Sequence, residues 1–295
     1  MISEYTFGGS ACEKRGTMNG KKKIIAVAAH KEYRMPSDPI YRPVFVGAAL
    51  NPDGASKMAE KGWDRDDLGD QISEKNPGYC ELTALYRVWK NTDADYIGLV
   101  HYRRHFTAER KRKASFEAVL SDAELTEILK DADLIVPDKR HYMIETLYSH
   151  YAMTHYARHL DLTRAEIRKT CPEYLPSFDA AVKQRSGYMF NMIIARRDLL
   201  DAYLSWLFPL LAGLERDLKD DSETEGLSAY QGRLYGRVSE ILLNVWIDYA
   251  VRNSIVDRNR IRELPYMNME GTNWTRKIFA FLRAKLFRKK YTGSF

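Results

Sequence analysis

Residues 101–106 place two histidines, two arginines and two aromatic rings in six consecutive positions: His101, Tyr102, Arg103, Arg104, His105 and Phe106. Guanidinium groups are planar, permanently charged and donate in pairs, which suits phosphate or another oxyanion. The same residues would serve equally as a basic surface loop around a core histidine. A second polar cluster, His30, Lys31 and Glu32, directly follows an apolar run at 24–29. Glu81 falls at the start of a helical pattern, where a carboxylate either offsets the helix dipole or contacts a ligand. Glu240 is predicted in the first turn of another helix. If it faces a cleft, it can accept a proton from a substrate hydroxyl. Two histidine pairs, His101 with His105 and His155 with His159, have a spacing that could bind a metal on one face. The first pair brackets two arginines, which is a poor field for a cation. The second lacks an HExxH pattern and lies among tyrosines, so a polar helix face is the simpler reading.

The elements that would carry these residues follow from periodicity. Residues 24–29 (IIAVAA), 96–100 (YIGLV) and 133–137 (DLIVP) are short apolar runs bounded by polar residues, as in buried strands. A second strand is predicted at 44–50 and another at 185–197. Helical spacing is predicted at 79–91, 116–130, 162–183 (interrupted by Pro172 and Pro176), 198–214 and 235–250. Asp70 and Ser73 are turn or capping residues, and Asn76-Pro77-Gly78 marks a turn. Strands alternating with helices argue for an α/β protein with a mostly parallel sheet flanked by helices and a helical C-terminal part. Ligands of such sheets bind beyond the carboxyl ends of the strands, where His30, Lys31 and residues 101–104 fall. Neither GxGxxG nor GxxxxGK[ST] is present, which removes the dinucleotide fingerprint and the P-loop.

The 295 residues, 45% of them hydrophobic, suffice for one large domain. The net charge of +6 fits nucleic acid, an anionic membrane or phosphorylated substrates alike. Three widely spaced cysteines without CxxC signal neither zinc nor a disulfide framework and suit a reducing cytoplasm. No apolar run reaches the length of a spanning helix. The chain divides into a leader at 1–20, a main domain at 21–270 and a tail at 271–295. The tail holds Trp274, Ile278, Phe281, Leu282 and Leu286 in a helical stripe with seven basic residues and no acid, a pattern suited to an anionic membrane surface.

Taken together, HKEY (30–33), GDQISEKNPGYCELTALYRVWKN (69–91), DYIGLVHYRRHF (95–106) and GRVSEILLNVW (236–246) resemble a family of bacterial capsular and exopolysaccharide glycosyltransferases, catalogued as domain of unknown function 4422. Some of its members are galactofuranosyltransferases. The resemblance covers roughly 22–265. It implies a GT-A-like fold and transfer of a sugar, a galactose form among them, from a UDP-sugar donor to a lipid-linked or oligosaccharide acceptor in capsule, O-antigen or exopolysaccharide assembly. It places the protein in the cytoplasm, on the inner face of the bacterial membrane. On this basis His30 and Lys31 lie near the nucleotide. Asp70, Asn76 and Glu81 contact the donor. His101, Tyr102, Arg103 and Arg104 hold the diphosphate, and Glu240 is the general base of an inverting displacement. Most GT-A enzymes end this strand with a metal-binding Asp-x-Asp. Here the position reads His101-Tyr102-Arg103, so fixed cations would stand in for the metal. The expected cofactor is therefore none, with Mn²⁺ or Mg²⁺ left open. Two other classes compete: a nucleic-acid-binding protein and a non-catalytic scaffold of polysaccharide assembly. No nucleic-acid motif appears and the basic residues concentrate in the tail, so no nucleic-acid partner is expected.

Overall fold

The computed structural model describes residues 20–110, 113–219 and 228–270. Residues 1–19 of the expected leader and the whole basic tail lie outside the described residues. From the N-terminus, β1 (Lys23–Ala29) and β2 (Tyr41–Phe45) precede a 3-10 turn at Ala48–Leu50, α1 (Pro52–Ala59) and β3 (Asp64–Arg65). Next come α2 (Asn76–Tyr79), α3 (Leu82–Asn91), β4 (Tyr96–His101), β5 (Arg104–Phe106), α4 (Asp122–Ile128), β6 (Leu134–Pro137) and β7 (Arg140–His141). Then follow α5 (Leu147–Thr154), α6 (Ala157–Thr170), α7 (Leu175–Ala181), β8 (Ser186–Gly187), β9 (Ile193–Arg196), α8 (Arg197–Leu218), α9 (Leu234–Arg252), β10 (Ile261–Leu264) and β11 (Tyr266–Asn268).

The main sheet runs β10-β6-β9-β4-β1-β2-β3. β1 is parallel to both β2 and β4, and β10 is parallel to β6. β9 is antiparallel to its two neighbours, β4 and β6. Both faces of the sheet are covered. Ile24, Ala26, Ala28, Ile97 and Leu99 point into one core with α3, α8 and α9, while Ile25, Val27, Ala29, Tyr96 and Val100 point into the other with Leu120, Leu125 and Leu129. Two-sided burial is why these strands read as continuous apolar runs. At Gly98 a Cβ would stand 2.8 Å from the Ile194 side chain and 3.0 Å from the Ile193 carbonyl, so β9 can pack closely on β4 only across a glycine. Of the stripe expected on α9, Val238, Ile241, Leu242, Val245 and Trp246 are all 2% exposed or less, and Tyr249 is half-buried. Burial of each such side chain stabilises by about 1.5–3 kcal/mol, which fixes the helix that carries Glu240.

Several expected elements are corrected. The second strand lies earlier, at Tyr41–Phe45, because Gly47 takes φ 70 and turns the chain into the 3-10 segment. The helix expected over 79–91 breaks at Cys80 (φ 54, ψ −127) into α2 and α3. The helix expected at 116–130 is a 3-10 turn followed by α4, whose capping box pairs Ser121 with Glu124. The run at 185–197 is not one strand. It splits into β8 and β9, because Phe190 (φ 73) and Asn191 (φ 53) both turn left-handed. His155 caps the end of α5 and His159 lies within α6, so the pair does not share one helix face.

Candidate functional site

β4 ends in a tight hairpin that pairs His101 with Arg104, and β5 pairs in turn with β11. Residues 101–104 are therefore a rigid turn at the carboxyl end of a central strand. His101, Arg103 and Arg104 line a cleft of about 600 Å³ bounded by this hairpin, the α2–α3 elbow, the 139–142 segment, α5, the 189–190 turn, the start of α9 and β11. Arg103, Arg104, Lys139, Arg140, Arg233 and Arg237 line it together with Glu81 and Glu240.

The left-handed turn at Phe190–Asn191 organises the floor. Non-glycine residues in this conformation are strained and persist where surrounding contacts hold them. Asn191 Nδ2 donates to Glu81 Oε1 (2.7 Å) and to the Gly236 carbonyl (2.8 Å), and its Oδ1 lies 2.9 Å from Ser239 Oγ. Its nitrogen must face these two groups, since neither can donate. The Phe190 carbonyl accepts a 2.6 Å hydrogen bond from His101 Nε2. This fixes the proton on Nε2, and burial pushes the His101 pKa down. His101 is thus a neutral ring tethered to the turn. The Glu81 carboxylate, 3.8 Å from that ring, does not cap α3 and is held by Asn191 instead.

Glu240 lies in the second turn of α9, not the first, and lines the cleft. Burial first, and the neighbouring Glu81 second, push its pKa up to about 7; the Phe190 backbone N–H, Arg237 and Arg140 oppose the rise. A carboxylate poised near neutrality is suited to taking a proton from a hydroxyl. Gly236 lets α9 approach this closely: a Cβ there would meet Cys80 Cβ and Sγ at 3.2 Å and the Tyr79 carbonyl at 3.3 Å.

Of the residues singled out from sequence, Glu81, His101, Arg103, Arg104 and Glu240 line one cleft. His30, Lys31 and Tyr102 form an adjoining cluster at the end of β1. The His30 ring packs edge-on against Tyr102, and Lys31 lies over the same ring. Burial, then the charges of Arg233, Lys31 and Arg103, lower the His30 pKa. Arg103 pairs with Glu270 at 3.1 Å, and Lys31 reaches the same carboxylate at 3.6 Å. Asp70 and Asn76 are not cleft residues. Asp70 is exposed at the far end of α3, where it is bonded to Asn91 and Tyr86. Asn76 turns inward to the Cys80 carbonyl and Thr83 Oγ1, stapling the elbow. Sequence reasoning missed Asn191, Arg140, Arg233, Arg237 and Glu270. It also missed the buried Asp66, which accepts from the Gly47 and Ala48 amides and from Ser73 and Thr83 hydroxyls. Only the arginine pair in GRLYGR (232–237), beside a motif already noted, was a usable signal. Among the described residues, no group of three or more His, Cys, Asp or Glu is arranged to hold a metal ion.

The mostly parallel α/β sheet with helices on both faces is a GT-A-like fold, and the cleft that holds Glu240 and the arginines lies at the carboxyl end of its central strand β4. The chain belongs to the family described as Domain of unknown function (DUF4422), whose model matches residues 24–252. It is similar to the apo structure of the WbbM bifunctional glycosyltransferase, with 28% identity and a TM-score of 0.74 over 85% of this chain and 46% of that one. The chain thus spans about half the length of that protein. No curated protein matches.

Proposed function

We propose that the protein is a glycosyltransferase that moves a sugar, galactose or its furanose form, from a UDP-sugar to the hydroxyl of a growing capsular, O-antigen or exopolysaccharide repeat unit. The observation that carries this reading is Glu240, poised near neutral pH, in one cleft with Arg104, Arg140, Arg233 and Arg237, which among the described residues are not ion-paired. The family membership and the likeness to a glycosyltransferase support the general class. In the proposed step Glu240 takes the proton of the acceptor hydroxyl as its oxygen attacks the anomeric carbon from the face opposite the diphosphate. The bond from that carbon to the diphosphate oxygen breaks, and UDP leaves with the electron pair. Arg103, Arg104 and Arg233 offset the charge that develops on it. His101 and Asn191 hold the floor in register. The Nε2 proton of His101 is already engaged, so its role is to position the 190–191 turn and not to bind phosphate. The donor-binding cations need no metal in this scheme.

Among the described residues no helix is long and apolar enough to cross a membrane. The proposed lipid-linked acceptor would be met at the cytoplasmic membrane face, with the basic segment 271–295 as the contact.

A thermal-shift series with UDP, GDP, CMP and dTDP, each with Mn²⁺ or with EDTA, tests the proposal, because a ligand of the folded state raises the melting temperature. The expected result is a UDP-specific shift that survives EDTA, with UDP released from UDP-galactopyranose or UDP-galactofuranose when acceptor is present. A shift that needs Mn²⁺ would refute metal independence, and no shift with any nucleotide would refute the enzyme.

A further inference from the structure

Arginines on the outer surface of this protein mostly pair with carboxylates, as in Arg164–Asp179, Arg196–Asp198, Arg197–Asp201 and Arg252–Asp248. In the cleft Arg103 pairs with Glu270 and Arg110 with Asp138, but four other cations are held differently. Arg104 lies 4.5 Å from the Phe190 ring centroid, Arg140 5.1 Å from Tyr142, Lys139 4.9 Å from Tyr188 and Arg237 3.9 Å from Tyr230. Among the described residues none of these four is ion-paired. An aromatic face holds a cation in place without cancelling its charge. Such cations remain available to an incoming anion.

They are also more numerous than one diphosphate requires, and they fall in two groups. Arg233, Lys31 and Arg103 surround His30 at the end of β1, and their charges are the ones it feels. Arg237 and Arg140 act on Glu240 instead, and Lys139 precedes Arg140 at β7. Arg237 also lies 3.2 Å from His155 Nδ1, but that histidine is kept neutral by burial, its pKa pushed down to about 3, and supplies no countercharge. With the first group and Arg104 assigned to the donor diphosphate, the three cations of the second group are left facing the single carboxylate of Glu240. This group borders the carboxylate that receives the acceptor's proton, so the acceptor must pass it. Unpaired charges in a partly desolvated cleft are unfavourable unless a ligand completes them.

We infer that Lys139, Arg140 and Arg237 form a second oxyanion subsite, which binds a phosphate or carboxylate group carried by the acceptor close to the hydroxyl that is glycosylated. The acceptor is then an anionic glycan rather than a neutral one. This inference rests on the reading of the first group as the donor site.

The test is calorimetric titration of inorganic pyrophosphate into the full chain saturated with UDP. The expected result is one further pyrophosphate bound per chain. A Lys139→Ala/Arg140→Ala double variant, checked for an unchanged melting temperature, should weaken that binding at least about tenfold, the loss expected for removing charge-assisted hydrogen bonds, while UDP affinity stays the same. Glucose 1-phosphate and glucuronate, titrated in the same way, separate a phosphate source from a carboxylate source; tighter binding of either one names the group. The inference is overturned if the UDP-bound chain takes up no pyrophosphate, if pyrophosphate merely competes with UDP, or if the double variant binds it like the parent. If UDP itself does not bind, the donor reading fails. Pyrophosphate binding to the free chain then decides the second subsite, supporting it if lost in the double variant and refuting it if unaffected.

Discussion

Replacing Glu240 with glutamine should remove turnover and at the same time stabilise the fold above neutral pH. Burial and Glu81 raise its pKa from 4.5 to about 7. A carboxylate whose folded pKa lies above its unfolded value binds its proton more tightly in the folded state. Its ionisation therefore costs stability as pH rises through the window from about 4.5 to about 7, and the full cost persists above it. At about 1.4 kcal/mol per pH unit, that interval amounts to about 3 kcal/mol. Glutamine mimics the protonated form, so Glu240→Gln should match the parent near pH 4.5 and gain progressively to about 3 kcal/mol at pH 8, a rise of roughly 6 °C in melting temperature for a domain of this size. Loss of a general base should meanwhile lower kcat by about 10²- to 10⁴-fold. The assay is a melting curve of both proteins at half-unit steps from pH 4.5 to 8.5, with turnover measured at pH 7.5. A stability difference that does not vary with pH, or a parent more stable than the variant at pH 8, would refute the picture of a carboxylate held near neutrality by desolvation and Glu81. Turnover near that of the parent would refute its role as the base.

The close approach at Gly236 predicts an inverted sign for a familiar substitution. Gly→Ala inside a helix ordinarily stabilises by about 1 kcal/mol, but here the added methyl meets Cys80 and the Tyr79 carbonyl. Gly236→Ala should therefore lower the unfolding free energy in a urea titration by about 1 kcal/mol or more. Asn191→Ala leaves the Glu81 carboxylate and the Gly236 carbonyl without their donor, which should cost about 1–3 kcal/mol in the same titration and reduce kcat more than KM. Glu270 competes with any anion for Arg103 and Lys31. Glu270→Gln should tighten UDP binding several-fold by calorimetry, and unchanged affinity would place those two cations outside the donor site.

The sequence by itself determined the layered α/β architecture and pointed to five residues, Glu81, His101, Arg103, Arg104 and Glu240, that the fold brings to one cleft. Runs such as IIAVAA and YIGLV are apolar throughout because sheets covered on both faces bury every side chain, and that signal is local. The helical stripe of α9 is local in the same way. What the sequence could not carry was the direction of β9, which is set by its partners β4 and β6, or the two elbows at Cys80 and at Phe190–Asn191. Residues without glycine's freedom take left-handed backbone there only because distant contacts hold them. Asp70 and Asn76 illustrate the limit: their types suit a ligand, yet the fold uses one to tie off α3 and the other to staple the elbow. The site itself was decided by tertiary structure. Glu240 is an ordinary glutamate in its own helix. Its pKa near neutrality arises because folding removes water from it and brings Glu81 beside it, against the opposing pull of the Phe190 amide, Arg237 and Arg140. Desolvation and charge proximity depend on distance in space, which adjacency in sequence does not encode.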